Sequence, residues 1–236
     1  MFELHDLHAY YGSSHVVQGI SMTVEAGEAV ALMGRNGVGK TTTLKSIMGL
    51  EARTKGQILF ENRDLSGLTS HVRAARGIGY VPEERAVFPE MTVEDNIRVG
   101  AMLRPRDGQP GCFETAYELF PILKERHLQL AGTLSGGQQK MLALARGLCL
   151  QPKLLLVDEP SEGLMPIAVE MITKALLKAT QAGVAVVVVD ASFDLVKESC
   201  SRLYAMDRGL LVGTYRPGDF ASPNELAQTY LAHAPA

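Results

Sequence analysis

No apolar run in this chain is long enough to cross a membrane. The longest, Val184–Val189, falls far short of the roughly 20 residues that a spanning helix needs, and its β-branched composition reads as a buried strand. The amino-terminal Met1-Phe2-Glu3-Leu4-His5-Asp6 lacks the charged-then-apolar order of a secretion signal. Cysteine is scarce: Cys112, Cys149 and Cys200 are odd in number and scattered, so neither a disulfide framework nor a zinc knuckle is expected, and a reducing compartment fits. Neither sign of charge dominates. With 23 Lys+Arg against 26 Asp+Glu the net charge is −3, which gives no electrostatic case for nucleic acid as the main ligand. There is no internal repeat, and no histidine between His127 and His233. His5, His8 and His15 span a strand and a loop without a compact ligand set, so they read as surface residues rather than a metal site.

What is present is enough for one α/β domain. A chain of 236 residues with 46% hydrophobic content can bury a full core. Phe2–Leu7, Ile20–Val24, Glu28–Met33, Gly56–Phe60 and Ile78–Val81 read as strands, with Lys40–Leu50 as the first helix. The pattern then turns helical: Thr92–Leu103, Cys112–Phe120, a short Ile122–His127 piece, and a helix from Ser135. The segment Arg104–Gly111 between the first two is rich in turn formers. Beyond Leu150 the alternation resumes with the strand Leu154–Val157, a helix over Pro166–Ala182, the strand Val184–Val189, a helix over Phe193–Ser199 and a hairpin around Asp207-Arg208-Gly209. The predicted organisation is therefore a single domain over 1–236, with a core in 1–83 and 151–236 and a helical segment in 84–150.

Three motifs carry chemistry. Thr133-Leu134-Ser135-Gly136-Gly137-Gln138-Gln139 puts two glycines in the first turn of an amphipathic helix, each costing about 1 kcal/mol relative to alanine. A capping box explains Ser135 and Gln138 but not Gly136 and Gly137; a phosphate against bare amides at the positive helix end explains all four. Upstream, Gly34-Arg35-Asn36-Gly37-Val38-Gly39-Lys40-Thr41 fills every defined position of a phosphate loop between a strand and a helix, with Thr42 next in that helix. Consecutive N–H groups there would surround nucleotide phosphates, Lys40 would neutralise their β/γ charge, and the Thr41 hydroxyl would bind Mg²⁺. Downstream, the apolar run Leu154–Val157 ends in Asp158-Glu159. Acids at a strand's carboxyl end sit where open α/β sheets bind ligands, so Asp158 is expected to orient Mg²⁺ and Glu159 to act as general base.

In this order the motifs resemble the ATP-binding cassette family, the motor subunits of ABC transporters, over essentially the whole chain. The resemblance implies a P-loop nucleoside triphosphate hydrolase fold of the ABC ATPase type with an inserted helical subdomain. It implies ATP and Mg²⁺ as ligands, and a head-to-tail pair of cassettes in which each ATP lies between one phosphate loop and the other chain's Ser135–Gln138 tip. The second cassette would be a non-identical subunit or a copy of this chain. Other implied partners are membrane permease subunits and, through them, an extracytoplasmic solute-binding protein, with this chain peripheral on the cytoplasmic face of the membrane. Tyr11, ahead of Tyr10, resembles the residue that stacks on adenine, because the family's aromatic often directly precedes a glycine such as Gly12.

Three positions depart from the family pattern. Glu83 stands where a metal-touching glutamine is usual; it keeps an oxygen for the metal but loses an amide donor. Ser161-Glu162-Gly163-Leu164 replaces the commoner Ser-Ala-Leu-Asp type of loop. Together these resemble the branch importing branched-chain and other hydrophobic amino acids, or its urea and short-amide relatives. A soluble, non-transport ABC ATPase is the alternative, although such relatives generally carry two cassettes in one chain or a coiled-coil insertion. The family's switch histidine aligns with Ser192, shorter and uncharged. Two expectations follow: Ser192 marks a weaker member of an unequal pair of sites, or the branch tolerates a small polar residue with full activity.

Overall fold

The computed structural model describes residues 1–50, 53–84, 87–102 and 111–233. The first half runs β1 (Phe2–Tyr11), β2 (Ser14–Val24), β3 (Ala29–Met33), α1 (Lys40–Met48), β4 (Arg53–Phe60), β5 (Arg63–Asp64), α2 (Ser70–Ala75) and β6 (Ile78–Val81). Four helices follow: α3 (Val93–Ala101), α4 (Cys112–Leu119), α5 (Pro121–Glu125) and α6 (Gly136–Cys149). The chain then continues through β7 (Leu154–Asp158), α7 (Pro166–Gln181), β8 (Ala185–Val189), α8 (Phe193–Ser199), β9 (Arg202–Asp207), β10 (Leu210–Tyr215) and α9 (Pro223–His233).

Two sheets form. One is antiparallel in the order β2-β1-β4-β5; the other has the order β10-β9-β3-β8-β7-β6 and is parallel from β9 to β6. Strands β3, β7 and β8 are buried at every residue, as expected for parallel strands covered on both faces. Alternation then sorts their side chains. Ala31, Leu155, Val157, Val186 and Val188 pack with α3, α4, α6 and α7, whereas Leu32, Leu154, Leu156, Val187 and Val189 pack with α1 and the antiparallel sheet. Because the parallel strands point one way, the residues after β3, β6, β7 and β8 emerge along a single edge. That edge receives Gly34, Glu83, Glu159 and Asp190 from segments far apart in sequence.

Most expected elements are present, with shifted ends. Strand β1 runs on to Tyr11, and α1 stops at Met48 because Gly49 adopts a left-handed conformation (φ 73) and returns its N–H to Lys45 and Ser46. Strand β5 and helices α2 and α9 were not anticipated; α2, at 6 residues, is too short to show periodicity. Its buried Arg73 donates to the carbonyls of Ser46, Ile47 and Leu68, satisfying acceptors at the end of α1. Thr92 caps α3 by accepting from the Asp95 N–H. The expected turn-rich segment lies outside the described residues except for Gly111, and Leu103 lies outside them too.

The cysteine expectation is corrected. Cys112 and Cys149 form a disulfide, with Cα atoms 5.1 Å apart across a separation of 37 residues. Packing of α4 against α6 brings them together, which their spacing in the chain does not reveal. His8 and His15 are also closer than the chain order implies, with Nδ1 and Nε2 2.9 Å apart. Among the described residues no group of His, Cys, Asp and Glu forms a metal-binding set.

Helices α3 and α6 approach at Gly100, where a methyl group would lie 2.1 Å from the Arg146 carbonyl oxygen. Gly100→Ala must therefore push the two helices apart. Urea unfolding is expected to show a loss of about 1–3 kcal/mol; an unchanged midpoint would mean that the contact is not tight.

Candidate active site

A cavity of about 390 Å³ opens at the carboxyl edge of the parallel sheet. Asn36, Gly37, Gly39, Lys40, Thr41 and Thr42 form one wall, and Glu83, Glu159, Ser161, Glu162, Asp190 and Ala191 form the other. Two glycines make the first wall possible. A Cβ on Gly34 would stand 2.2 Å from the Met206 carbonyl oxygen, and Gly39 holds φ 110 with no room beside Met206 and Val16. Gly39 also occupies the N-cap of α1 and supplies no side-chain acceptor, so the first amides of that helix are left to whatever enters the cavity. Gly34 and Arg35 contribute carbonyls rather than wall: both accept from the buried Lys40 ammonium, at 3.0 and 3.3 Å. Val38 is buried in the core.

The carboxylates divide the labour by position. Asp158 ends β7 and lies 2% exposed. Its Oδ1 accepts from the Thr41 hydroxyl at 3.0 Å and its Oδ2 from the Tyr80 hydroxyl at 3.2 Å. Burial pushes its carboxyl above the ordinary range despite these bonds and the charges of Lys45 and Lys40. Glu159 follows in a left-handed conformation (φ 46), rare for a residue with a side chain. Three contacts hold it there: its N–H donates to the Val189 carbonyl at 2.7 Å, its carbonyl accepts from Lys140 at 2.6 Å, and its Oε1 lies 3.4 Å from Lys40 Nζ. Its carboxyl is also raised, chiefly by burial, with Lys40 opposing and Asp190 and Asp158 adding. Burial, then a hydrogen bond and repulsion from Glu162, and then Asp158 and Glu159, raise Glu83 likewise.

The residue types fit a magnesium triphosphate. Uncapped helix amides and a buried ammonium suit phosphate oxygens, and the adjoining Thr41 hydroxyl and Asp158 carboxylate offer hard oxygen donors for Mg²⁺.

Other expected residues fall elsewhere. Ser135 and Gln138 form the capping box: Ser135 Oγ accepts from the Gln138 N–H, and Gln138 Oε1 from the Ser135 N–H. None of Ser135, Gly136, Gly137 and Gln138 lines the cavity. A methyl on Gly136 would meet nothing within 4 Å, so packing inside this chain does not require that glycine. Tyr11 does not line the cavity either; strand alternation sets it on the side of Leu7 and Ala9, while Tyr10 stacks on His15 at 4.4 Å under Arg53. The geometry assigns Ser192 a different part from the one its alignment implies. Its hydroxyl accepts from the Leu195 N–H as the N-cap of α8, its N–H donates to Asp190, and Ala191 is the residue in the cavity wall.

Sequence reasoning missed Lys140 and Asp190. Asp190 accepts from the Ser161 N–H and hydroxyl at 2.9 and 2.5 Å and so fixes the loop after Glu159; its position after an apolar strand, like that of Asp158, was the available signal. Lys140 reaches the Glu159 and Glu162 carbonyls from α6, a contact with no sequence signature.

A raised carboxyl reduces stability where it is ionised, above its folded-state range, and that loss disappears as pH falls and the folded form takes up its proton. Asp158→Asn is therefore expected to raise the Tm of the nucleotide-free chain near pH 7, with the gain shrinking toward ~pH 4. Thermal melts across that range check it. A lower Tm near neutrality would mean that the second acceptor, used by Tyr80, outweighs burial.

Comparison with known proteins agrees with this geometry. Residues 17–162 match the ABC transporter family. The chain is 38% identical over 212 residues to the high-affinity branched-chain amino acid transport ATP-binding protein BraG of Pseudomonas aeruginosa, covering 90% of this chain and 91% of that one. It is 34% identical over 223 residues to the lipopolysaccharide export system ATP-binding protein LptB of Haemophilus influenzae, covering 94% and 92%. Among solved structures, an ATP-binding subunit of an ABC transporter superposes with a TM-score of 0.85 at 25% identity, over 98% of this chain and 99% of that one. The ADP conformation of MJ1267, an ATP-binding cassette of an ABC transporter, superposes at 0.81 and 25%, over 98% of each. From the phosphate loop, the acidic strand end and these relatives together, the chain belongs to the ABC transporter family as one of its ATP-hydrolysing cassettes.

Proposed function

We propose that this cassette energises an importer of branched-chain or other hydrophobic amino acids, working on the cytoplasmic face of the membrane beside a second cassette. The observation that carries the two-cassette reading is the separation of the Ser135–Gln138 tip from the chain's own cavity, together with a glycine at 136 that internal packing does not need. A phosphate held against the tip of another chain accounts for both. The importer reading rests on the likeness to BraG and on Glu83 and Ser161-Glu162-Gly163-Leu164. The likeness to LptB favours a second reading, export of a lipopolysaccharide.

In this reading the amides of Gly37 to Thr42 and the Lys40 ammonium bind the β- and γ-phosphates. Thr41 and Asp158, with Glu83 beside them, would hold Mg²⁺, which when bound would supply positive charge against that developing on the phosphates. Glu159 takes a proton from the attacking water; its raised carboxyl keeps it basic enough for that transfer, and Lys140 fixes its backbone. Tyr11 is proposed as the adenine platform on its resemblance alone, since it lies outside the lining of the phosphate cavity. The chain divides in this reading into a nucleotide core in 1–83 and 151–236 and a helical segment in 84–150 that transmits closure. Among the described residues no helix is long and apolar enough to cross a membrane, so coupling to transport needs permease subunits. A groove lined by Met48, His71, Tyr80, Phe88, Val99 and Arg146 suits them, with Phe88 exposed and Arg146 4.8 Å over its ring. An extracytoplasmic solute-binding protein would deliver the cargo to those permeases.

The test is purification of the assembly from membranes through a tag on this chain, with ATP turnover measured in proteoliposomes. Leucine, isoleucine or valine with its binding protein should stimulate turnover, and Glu159→Gln should reduce kcat by about 10²–10⁴-fold while retaining ATP binding. Stimulation by lipopolysaccharide instead would support the export reading; undiminished turnover in Glu159→Gln would remove it as the base.

The switch position is proposed to be Ala191, which offers the γ-phosphate no side-chain donor. Ala191→His is expected to raise turnover severalfold if this chain's site is the weaker of an unequal pair, whereas Ser192→His, which removes the cap of α8, should not. An unchanged rate for Ala191→His would indicate a branch that works fully without the histidine.

A further inference from the structure

The disulfide between Cys112 and Cys149 plays no part in the nucleotide site. Cys112 is the first residue of α4 and Cys149 the last of α6, so the bond ties the start of one helix to the far end of the helix whose tip carries Ser135–Gln138. Both residues are nearly buried, at 2% and 3% exposure. Both also line a cavity of about 370 Å³, separate from the phosphate cavity, shared with Thr115, Leu119, Pro152 and Lys178. Glu118 and Lys178, paired at 2.7 Å, add charges of both signs to that wall. An apolar hollow with one charge pair suits a small zwitterionic thiol compound rather than a protein.

We propose that Cys112 and Cys149 form a reversible dithiol–disulfide site that exchanges with a low-molecular-weight disulfide admitted through this cavity. In the oxidising direction one cysteine thiolate attacks a sulfur of the small disulfide, forming a mixed disulfide and releasing one small thiolate. The second cysteine thiolate then attacks the protein-side sulfur of the mixed disulfide, closing the Cys112–Cys149 bond and releasing the second small thiolate. Two electrons pass from the dithiol to the small disulfide, and the two protons lost by the cysteines end on the released thiols.

Selectivity is built in. The third cysteine, Cys200, is buried elsewhere, and burial pushes its thiol up to about 12, so it stays protonated and takes no part. Oxidation therefore has one outcome: a brace across the helical segment between residues 37 apart. The brace should stabilise chiefly by restricting the unfolded chain.

The experiment uses the full chain equilibrated in buffers of glutathione and glutathione disulfide at stepped ratios. Acid quenching, denaturing alkylation and intact mass measurement then count the free thiols. The expected result is a single transition from three alkylated cysteines to one, Cys200, lost in Cys112→Ser and in Cys149→Ser and kept in Cys200→Ser. The oxidised form should melt about 5 °C or more above the reduced form. Three alkylated cysteines at every ratio, a bond involving Cys200, or a stable glutathione adduct in place of the internal bond would each overturn the proposal. Should a serine variant fold poorly, Cys112→Ala and Cys149→Ala replace it, and the parent chain's own thiol count still decides.

Discussion

The hydrogen bond from Thr41 to Asp158 joins residues 117 apart in the chain, and the rest of the site is arranged around it. It crosses the edge of a parallel sheet in which β8 lies between β3 and β7, so it forms only if three strands are in register. Once they are, the start of the helix at Lys40 lines the same cavity as the acids that follow β6, β7 and β8. Parallel strands make this convergence unavoidable, because they bring every strand's carboxyl end to one side.

The same edge concentrates negative charge in a partly buried place. Asp158, Glu159 and Glu83 are all held above the ordinary carboxylate range, with burial the first cause in each. Lys40 offsets part of this repulsion by pairing with Glu159 while bonding two carbonyls of its own loop. A site built this way suits a divalent cation, which would offset the carboxylates' charge, while the Lys40 ammonium and the uncapped start of α1 suit a polyanion. Lys140 adds a mechanical link: it fastens α6, whose tip carries Ser135–Gln138, to the backbone of Glu159 and Glu162.

Much of the fold was legible because its signals are local. The buried strands announce themselves as short β-branched runs, Gly39 and Lys40 as a turn entering a helix, and Ser135 with Gln138 as a capping box whose two hydrogen bonds are both present. The shorter elements were not legible: α2 spans under two turns, and its value lies in Arg73 reaching the carbonyls that end α1, a contact between residues 26 and 27 apart. Ser192 shows a different limit. A one-residue choice in alignment decides between a cavity wall and a helix cap, and only the turn after β8 shows that Ala191 takes the first and Ser192 the second.

By itself the sequence determined which groups are available for chemistry and their order along the chain: the phosphate loop, the two-glycine helix tip and the acids at 158 and 159. Those are properties of neighbouring residues, dictated by backbone freedom, side-chain chemistry and strand or helix periodicity. Tertiary structure alone decided that the helix tip does not line the chain's own cavity, that Lys140 holds the Glu159 carbonyl, and that Cys112 meets Cys149. Each of these depends on how helices pack on the sheet, and packing joins residues whose separation in the chain carries no information about their distance in space.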